Sequence, residues 1–376
     1  MINAEFFLET LEKNNIDFFT GVPDSLLKSL CLCIDNKYDD KSHIIAANEG
    51  SAIAIAAGYH LGSGKLPLVY MQNSGLGNAV NPLASLCDAE VYSIPMLLLI
   101  GWRGKPGAKD EPQHVKQGGI QKPFLKALDI PFQILCSEDD ESSTKEKIEL
   151  SINLSIKQMK PHALIVEKNT FIKYKSEYTV SNDLTLTRER LLEMILDNLN
   201  SDDIIISTTG KTSRELFELI KKGNYKNPFF PVVGSMGHCS AIGQGIALTN
   251  SDKKIICIDG DGSLIMHMGS SSLAGQLNLS NFYHILINNF VHESVGGQET
   301  ASKFIEYSNV AKGLGYQNIF SASNENSFNS NIKENLSKKG PNFFQIKTKP
   351  GSRDNLGRPD KTPLENKVDF IKSLNN

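Results

Sequence analysis

The sequence has no cysteine pair at CxxC spacing and a single tryptophan, Trp102. Its longest strongly apolar run, Ile94 to Ile100 (IPMLLLI), falls far short of the ~20 residues that a membrane-spanning helix needs. Neither sign of charge is in excess: 39 Lys and Arg face 42 Asp and Glu, a formal net charge of −3. That balance leaves no electrostatic footprint for nucleic acid or an anionic membrane. Short repeats and low-complexity tracts are missing too. The N-terminal stretch from Met1 carries acids among its apolar positions and lacks a basic start, so no signal peptide is expected. The six cysteines, at 31, 33, 87, 136, 239 and 257, sit mostly in apolar surroundings. They read as reduced core thiols, and the cytoplasm is the expected compartment.

What is present describes an ordinary globular chain. It has 376 residues, 40% of them hydrophobic and 22% charged, enough for two sizeable units. Short β-rich apolar runs alternate with longer amphipathic stretches, which predicts an α/β fold of two doubly wound parallel sheets. The first series of strands is Phe18 to Thr20, His43 to Ala46, Leu68 to Met71, Met96 to Ile100 and Ala163 to Val166. The second is Ile204 to Ser207, Pro231 to Val233, Ile255 to Ile258, Tyr283 to Ile287 and Asn342 to Lys347. Between them Phe171 to Thr187 is polar and non-periodic, and a helix is expected after a Thr187 cap. The expected units are therefore 1–175 and 186–376, with no room for a third domain between them.

The most informative segment lies in the second half. The apolar run Ile255 to Ile258 leads into Asp259-Gly260-Asp261-Gly262-Ser263, and after 25 residues (263 to 287) a second apolar strand ends in Asn288-Asn289. An acid at one strand end and an amide at the next bring two oxygen donors to the carboxyl edge of a parallel sheet, where open α/β folds bind ligands. Glycines there let a phosphate approach the backbone. One carboxylate, one amide and a backbone carbonyl, completed by ligand oxygens, suit Mg²⁺. Thr209-Gly210-Lys211-Thr212 contains the Gly-Lys-Thr of a phosphate loop, but Ile205 stands where that loop needs its first glycine. Its amides, at the end of a strand and the start of a helix, can still hold a diphosphate oxygen.

Gly260-Asp261-Gly262 followed by Asn288-Asn289 resembles the cofactor motif of the thiamin-diphosphate-dependent 2-keto-acid decarboxylase family. That resemblance implies metal ligation by Asp261, Asn289 and the carbonyl of Val291, and diphosphate contacts from Ser263 and the Gly210 loop. It makes Glu49, in Asn48-Glu49-Gly50-Ser51, the acid that activates the cofactor through its pyrimidine. Gln72 to Asn78 (QNSGLGN), with Asn73, resembles the loop packed on the pyrimidine side. Gly234-Ser235-Met236-Gly237-His238 resembles the segment that wedges the cofactor into its bent shape, with Met236 as the wedge. The family pattern also implies a pyrimidine-binding first domain, a diphosphate- and metal-binding second one, and a homodimer or higher homo-oligomer with active sites at the subunit interface.

Four further runs resemble a branch of this family whose substrates carry a phosphonate or a sulfonate: Gly21 to Ser25 (GVPDS), Asp110 to His114 (DEPQH), Val291 to Gln298 (VHESVGGQ) and Gly351 to Pro359 (GSRDNLGRP). The expected reaction is decarboxylation of 3-phosphonopyruvate to phosphonoacetaldehyde and CO₂ in phosphonate biosynthesis. Sulfopyruvate or another 2-keto acid is the alternative, and a fused single chain favours the phosphonate. Arg353 and Arg358, with Asp24 and Ser25, are the expected substrate contacts, since forked guanidinium donors match phosphonate oxygens. His114, Asp24 and His292 are candidates to deliver the proton that replaces the departing carboxylate.

Overall fold

Among the described residues twelve strands, each entered and left through helices or loops, form two separate six-stranded parallel sheets. The structure, a computed structural model, describes residues 1–176 and 180–374. Glu177 to Thr179, inside the predicted linker, lie outside the described residues, as do the last two positions of the predicted second unit. The chain divides into two compact units: Met1–Thr179 with Val295–Gln298, and Val180–Ser294 with Glu299–Asn376.

The first unit contains β1 (Phe19–Gly21), β2 (His43–Ile45), β3 (Leu68–Gln72), β4 (Leu97–Gly101), β5 (Phe132–Leu135) and β6 (His162–Val166), in the order β2-β1-β3-β4-β6-β5. The second contains β7 (Ile204–Ser207), β8 (Phe229–Pro231), β9 (Ile255–Gly260), β10 (Phe282–Asn288), β11 (Asn318–Ala322) and β12 (Asn342–Lys347), in the order β11-β12-β10-β9-β7-β8. Both orders reverse direction within the sheet, which opens a crevice at the strand ends.

Each sheet is covered on both faces, and this explains why its strands read as apolar runs rather than as alternation. In β4, Leu97 and Leu99 join one core while Leu98 and Ile100 join the other. In β9, Ile256 and Ile258 pack on one side and Ile255 and Cys257 on the other. Five of the six cysteines are buried, Cys136 is half-buried, and all six are free thiols. Among the described residues no helix is long and apolar enough to cross a membrane.

Three strand expectations need correction. β5 and β11 were not expected; both are sheet edges whose residues are mostly half-buried, so their apolar signal is diluted. β8 ends at Pro231 rather than beginning there. Proline has no N–H to donate and is tolerated on this edge strand. The segment Val232 to Met236 is consequently loop, leaving the sheet through the bond from Val232 N to Ser207 O (3.0 Å).

Candidate active site

In the first unit, chemistry-bearing side chains gather at the carboxyl ends of β1 to β4. Glu49 opens the helix Glu49–Ser63, which Asn48 caps by accepting from Ser51 N (2.9 Å). The Glu49 carboxylate is buried, its Oε2 accepts from Asn78 Nδ2 (2.7 Å), and burial pushes its pKa up. Oε1 faces Gly75, where a Cβ would come within 2.2 Å of it. Asn73, expected at the cofactor, has its amide engaged elsewhere: Nδ2 donates to Arg103 O (2.8 Å) and Oδ1 accepts from Arg103 N (3.2 Å). It clasps the backbone that follows β4.

Asp24 is fully buried after β1. Its Oδ1 accepts from Gln72 Nε2 (2.7 Å) and its Oδ2 from Leu26 N (3.2 Å). Burial raises its pKa, against the lowering pull of Gln72 and Arg103. Arg103, which the sequence reading passed over, is forked onto Asp110 through Nε (2.8 Å) and Nη2 (2.5 Å), while Nη1 donates to Ser25 Oγ (2.9 Å). His114 is half-buried nearby, and burial followed by the Arg103 charge lowers its pKa. Asp24, Ser25, Gln72 and Asp110 thus meet around one fixed cation.

In the second unit the pairing of Gly260 with Ile287 aligns the ends of β9 and β10, so Asp261 and Asn289 emerge side by side. Asp261 Oδ2 accepts from Thr300 Oγ1 (2.6 Å), and the Asn289 N–H also reaches this carboxylate. Burial nonetheless pushes the Asp261 pKa up to about 6. Phe290, between Asn289 and Val291, has a left-handed φ of 66°. The resulting turn lets Val291 N donate to Asn289 Oδ1 (3.2 Å).

Ser263 Oγ accepts from Gly237 N (3.1 Å), joining the Asp261 segment to the Met236 loop. A Cβ on Gly262 would lie 3.1 Å from His292 Nδ1 and 3.6 Å from Met236 Cε, so the three residues form one cradle. Ser235 Oγ lies 3.1 Å from His238 Nδ1, and the His238 ring packs on His267 with centroids 4.5 Å apart. Gly210, with φ 93°, precedes the helix Lys211–Gly223 and requires glycine's freedom at that turn.

Beneath Asn289 lies an ionic network that the sequence did not announce. Glu293 Oε2 accepts from Asn289 Nδ2 (3.1 Å) and from Arg188 Nη1 (2.7 Å), and Oε1 accepts from Lys211 Nζ (2.8 Å). Arg188 is itself forked onto Glu215 at 2.6 and 2.8 Å. Against the raising effect of burial, Arg188 and Lys211 hold the Glu293 pKa down to about 2.

Arg353 departs from its expected use. Its Nε donates to Glu189 Oε1 (2.9 Å) and its Nη2 to Glu218, so the guanidinium straps the tail to two helices instead of standing open for an anion. Arg358 is exposed. Thr300 and the Arg188 to Glu293 network carried no local sequence signal, because each acts through partners distant in the chain, whereas Arg103 has its forked partner Asp110 seven residues on and was overlooked.

Asp261, Asn289 and the Val291 carbonyl form a hard oxygen donor set that fits Mg²⁺ completed by phosphate oxygens. Among the described residues there is no cluster of three or more His, Cys, Asp or Glu.

The chain belongs to the thiamine pyrophosphate enzymes: the N-terminal TPP binding domain of that family matches residues 1–127 and the C-terminal TPP binding domain residues 208–346. Within it, the chain is 32% identical to the phosphonopyruvate decarboxylase of Streptomyces viridochromogenes, over 97% of this chain and 93% of that one. The phosphonopyruvate decarboxylase of Streptomyces hygroscopicus is 31% identical over 97% and 92%. A sulfopyruvate decarboxylase of Methanosarcina acetivorans is 26% identical over 93% and 92%. That last match also runs nearly end to end in one chain, so a fused chain does not separate the two substrate classes. The protein is a thiamin-diphosphate-dependent 2-keto-acid decarboxylase, a carboxy-lyase.

Proposed function

We propose that this enzyme decarboxylates 3-phosphonopyruvate to phosphonoacetaldehyde and CO₂, with Mg²⁺ as the metal, in phosphonate biosynthesis. The observation that carries this reading is the near end-to-end similarity to two phosphonopyruvate decarboxylases at 31–32% identity, against 26% for the sulfopyruvate enzyme of similar length. Residues 1–175 are assigned to the pyrimidine and residues 186–376 to the diphosphate and metal, and the acting form is a homodimer or higher homo-oligomer.

When bound, thiamin diphosphate supplies the electron sink that receives the electron pair left by the departing CO₂. Glu49, packed against Gly75 and with Oε2 kept in place by Asn78, is the acid that would hold a proton at N1′ of the pyrimidine. Asp261, Asn289 and the Val291 carbonyl hold the metal. Ser263 and the Gly210 loop take diphosphate oxygens, and Met236 props the cofactor. Asp24, whose burial favours the protonated form, is the residue assigned to return a proton to the product, with His114 and His292 as the other donors. Arg353 is engaged by two carboxylates and Arg103 is forked onto Asp110, so the donor assigned to the anionic head of the substrate is the Ser25 hydroxyl, which accepts from Arg103 and keeps its own proton to give, with the Arg103 charge behind it.

The test is CO₂ and aldehyde release from 3-phosphonopyruvate, sulfopyruvate and pyruvate, with and without thiamin diphosphate and Mg²⁺. Cofactor-dependent turnover highest on 3-phosphonopyruvate is expected. Higher kcat/KM on either other acid discards the substrate assignment and leaves the decarboxylase intact.

A further inference from the structure

A side-chain amide can face a cation with its oxygen or, turned by half a revolution, repel it with its NH₂. For Asn289 each end of the amide has its own partner. Its Nδ2 donates to Glu293 Oε2 at 3.1 Å, and its Oδ1 is turned to the Val291 side at 3.2 Å from Val291 N. Glu293 is flanked by two cations, Arg188 Nη1 at 2.7 Å and Lys211 Nζ at 2.8 Å. An ionised carboxylate can only accept hydrogen bonds, so it admits the NH₂ end of Asn289 and excludes the oxygen end. Glu293 is held in turn: Arg188, 5% exposed, is forked onto Glu215, 1% exposed, which fixes the guanidinium before it meets Glu293.

We propose that Glu293, anchored by Arg188 and Glu215, is a positioning residue that sets the amide orientation of Asn289 so that Oδ1 is presented to the divalent cation. This rests on the reading of Asn289 as a metal ligand. Outer partners of this kind tune metal affinity by about 10- to 100-fold. Lys211 ties the same carboxylate to the start of the helix after the Gly210 loop, so one group orders both the metal side and the diphosphate side of the cofactor site.

The experiment measures retention of thiamin diphosphate by equilibrium dialysis while Mg²⁺ is titrated, which needs no turnover. Glu293→Gln leaves one oxygen for three donors, removes the charge that draws the NH₂ of Asn289, and turns an NH₂ group toward either Asn289 or Lys211. The Mg²⁺ concentration for half-maximal retention is expected to rise about 10- to 100-fold. In the double variant Glu293→Gln with Asn289→Asp, donor and acceptor change places: the new amide donates to the new carboxylate, which offers an oxygen to the metal in either orientation. The half-maximal concentration is expected to return to within about threefold of wild type, far inside that 10- to 100-fold range.

Thermal unfolding of each variant without cofactor reports any general loss of packing. A wild-type protein whose retention needs no divalent cation overturns the ligand reading itself. A metal-dependent wild type with an unchanged Glu293→Gln overturns the positioning role alone. So does a double variant as weak as the single one, because packing loss would not be repaired by exchanging donor and acceptor.

Discussion

A Cβ on Gly75 would lie 2.2 Å from Oε1 of Glu49, so the absence of a side chain at residue 75 is what lets the buried carboxylate stand where it does. Gly75 has φ −76° and ψ −13°, a conformation alanine adopts freely. Gly75→Ala therefore leaves the backbone in place and moves the acid. A displacement of this kind costs about 100-fold in rate. Steady-state kinetics should show kcat falling by about that factor while the melting temperature changes by only a few degrees; an unchanged kcat contradicts the placement.

Arg188 and Glu215 are both nearly fully buried, and removing the cation leaves Glu215 without its forked partner and Glu293 without one of two. Arg188→Met is expected to destabilise the protein by about 3 to 5 kcal/mol, the usual consequence of stranding a buried charge. Calorimetric unfolding checks it, and a loss below about 1 kcal/mol, the range of an exposed pair, contradicts it.

Acid sensitivity has a definite source in the first sheet. His162 opens β6, is 1% exposed, and neither ring nitrogen has a hydrogen-bond partner. Burial lowers its pKa from 6.5 to about 4. Between those values the unfolded chain binds a proton that the folded one refuses, so its contribution is complete above about pH 6.5 and is lost as the pH falls toward 4. The loss amounts to about 3 kcal/mol at its fullest. Stability measured at pH 7.5 and pH 5 should fall less in His162→Leu than in wild type, and equal falls contradict the assignment.

Interior strands were legible because burial on both faces writes them as continuous apolar runs, as in Leu97 to Ile100 and Ile255 to Ile258. The edge strands β5 and β11 were not, since a half-covered strand such as Asn318–Ala322 keeps polar residues at solvent-facing positions. The juxtaposition of Asp261 and Asn289 was legible because they sit at the ends of adjacent strands, where register alone brings them together. Glu293 was harder to find: a charged residue announces its partner only when the partner is near in sequence, and Glu293 depends on Arg188 and Lys211; Arg103 does have Asp110 seven residues on, but its contact with Ser25 is distant in the chain. Arg353 misled for the same reason, since nothing in its Gly- and Pro-rich segment foretells Glu189 and Glu218.

The account depends most on the buried acid at the start of the helix Glu49–Ser63. The direct measurement is turnover of 3-phosphonopyruvate by Glu49→Gln saturated with thiamin diphosphate and Mg²⁺, with bound cofactor quantified in the same sample. The substitution keeps the shape and an acceptor for Asn78 but removes the charge. The predicted result is a loss of kcat of about 1,000-fold, within the span of a lost acid–base group, with cofactor occupancy near that of wild type. Turnover within a few-fold of wild type at full occupancy would contradict it.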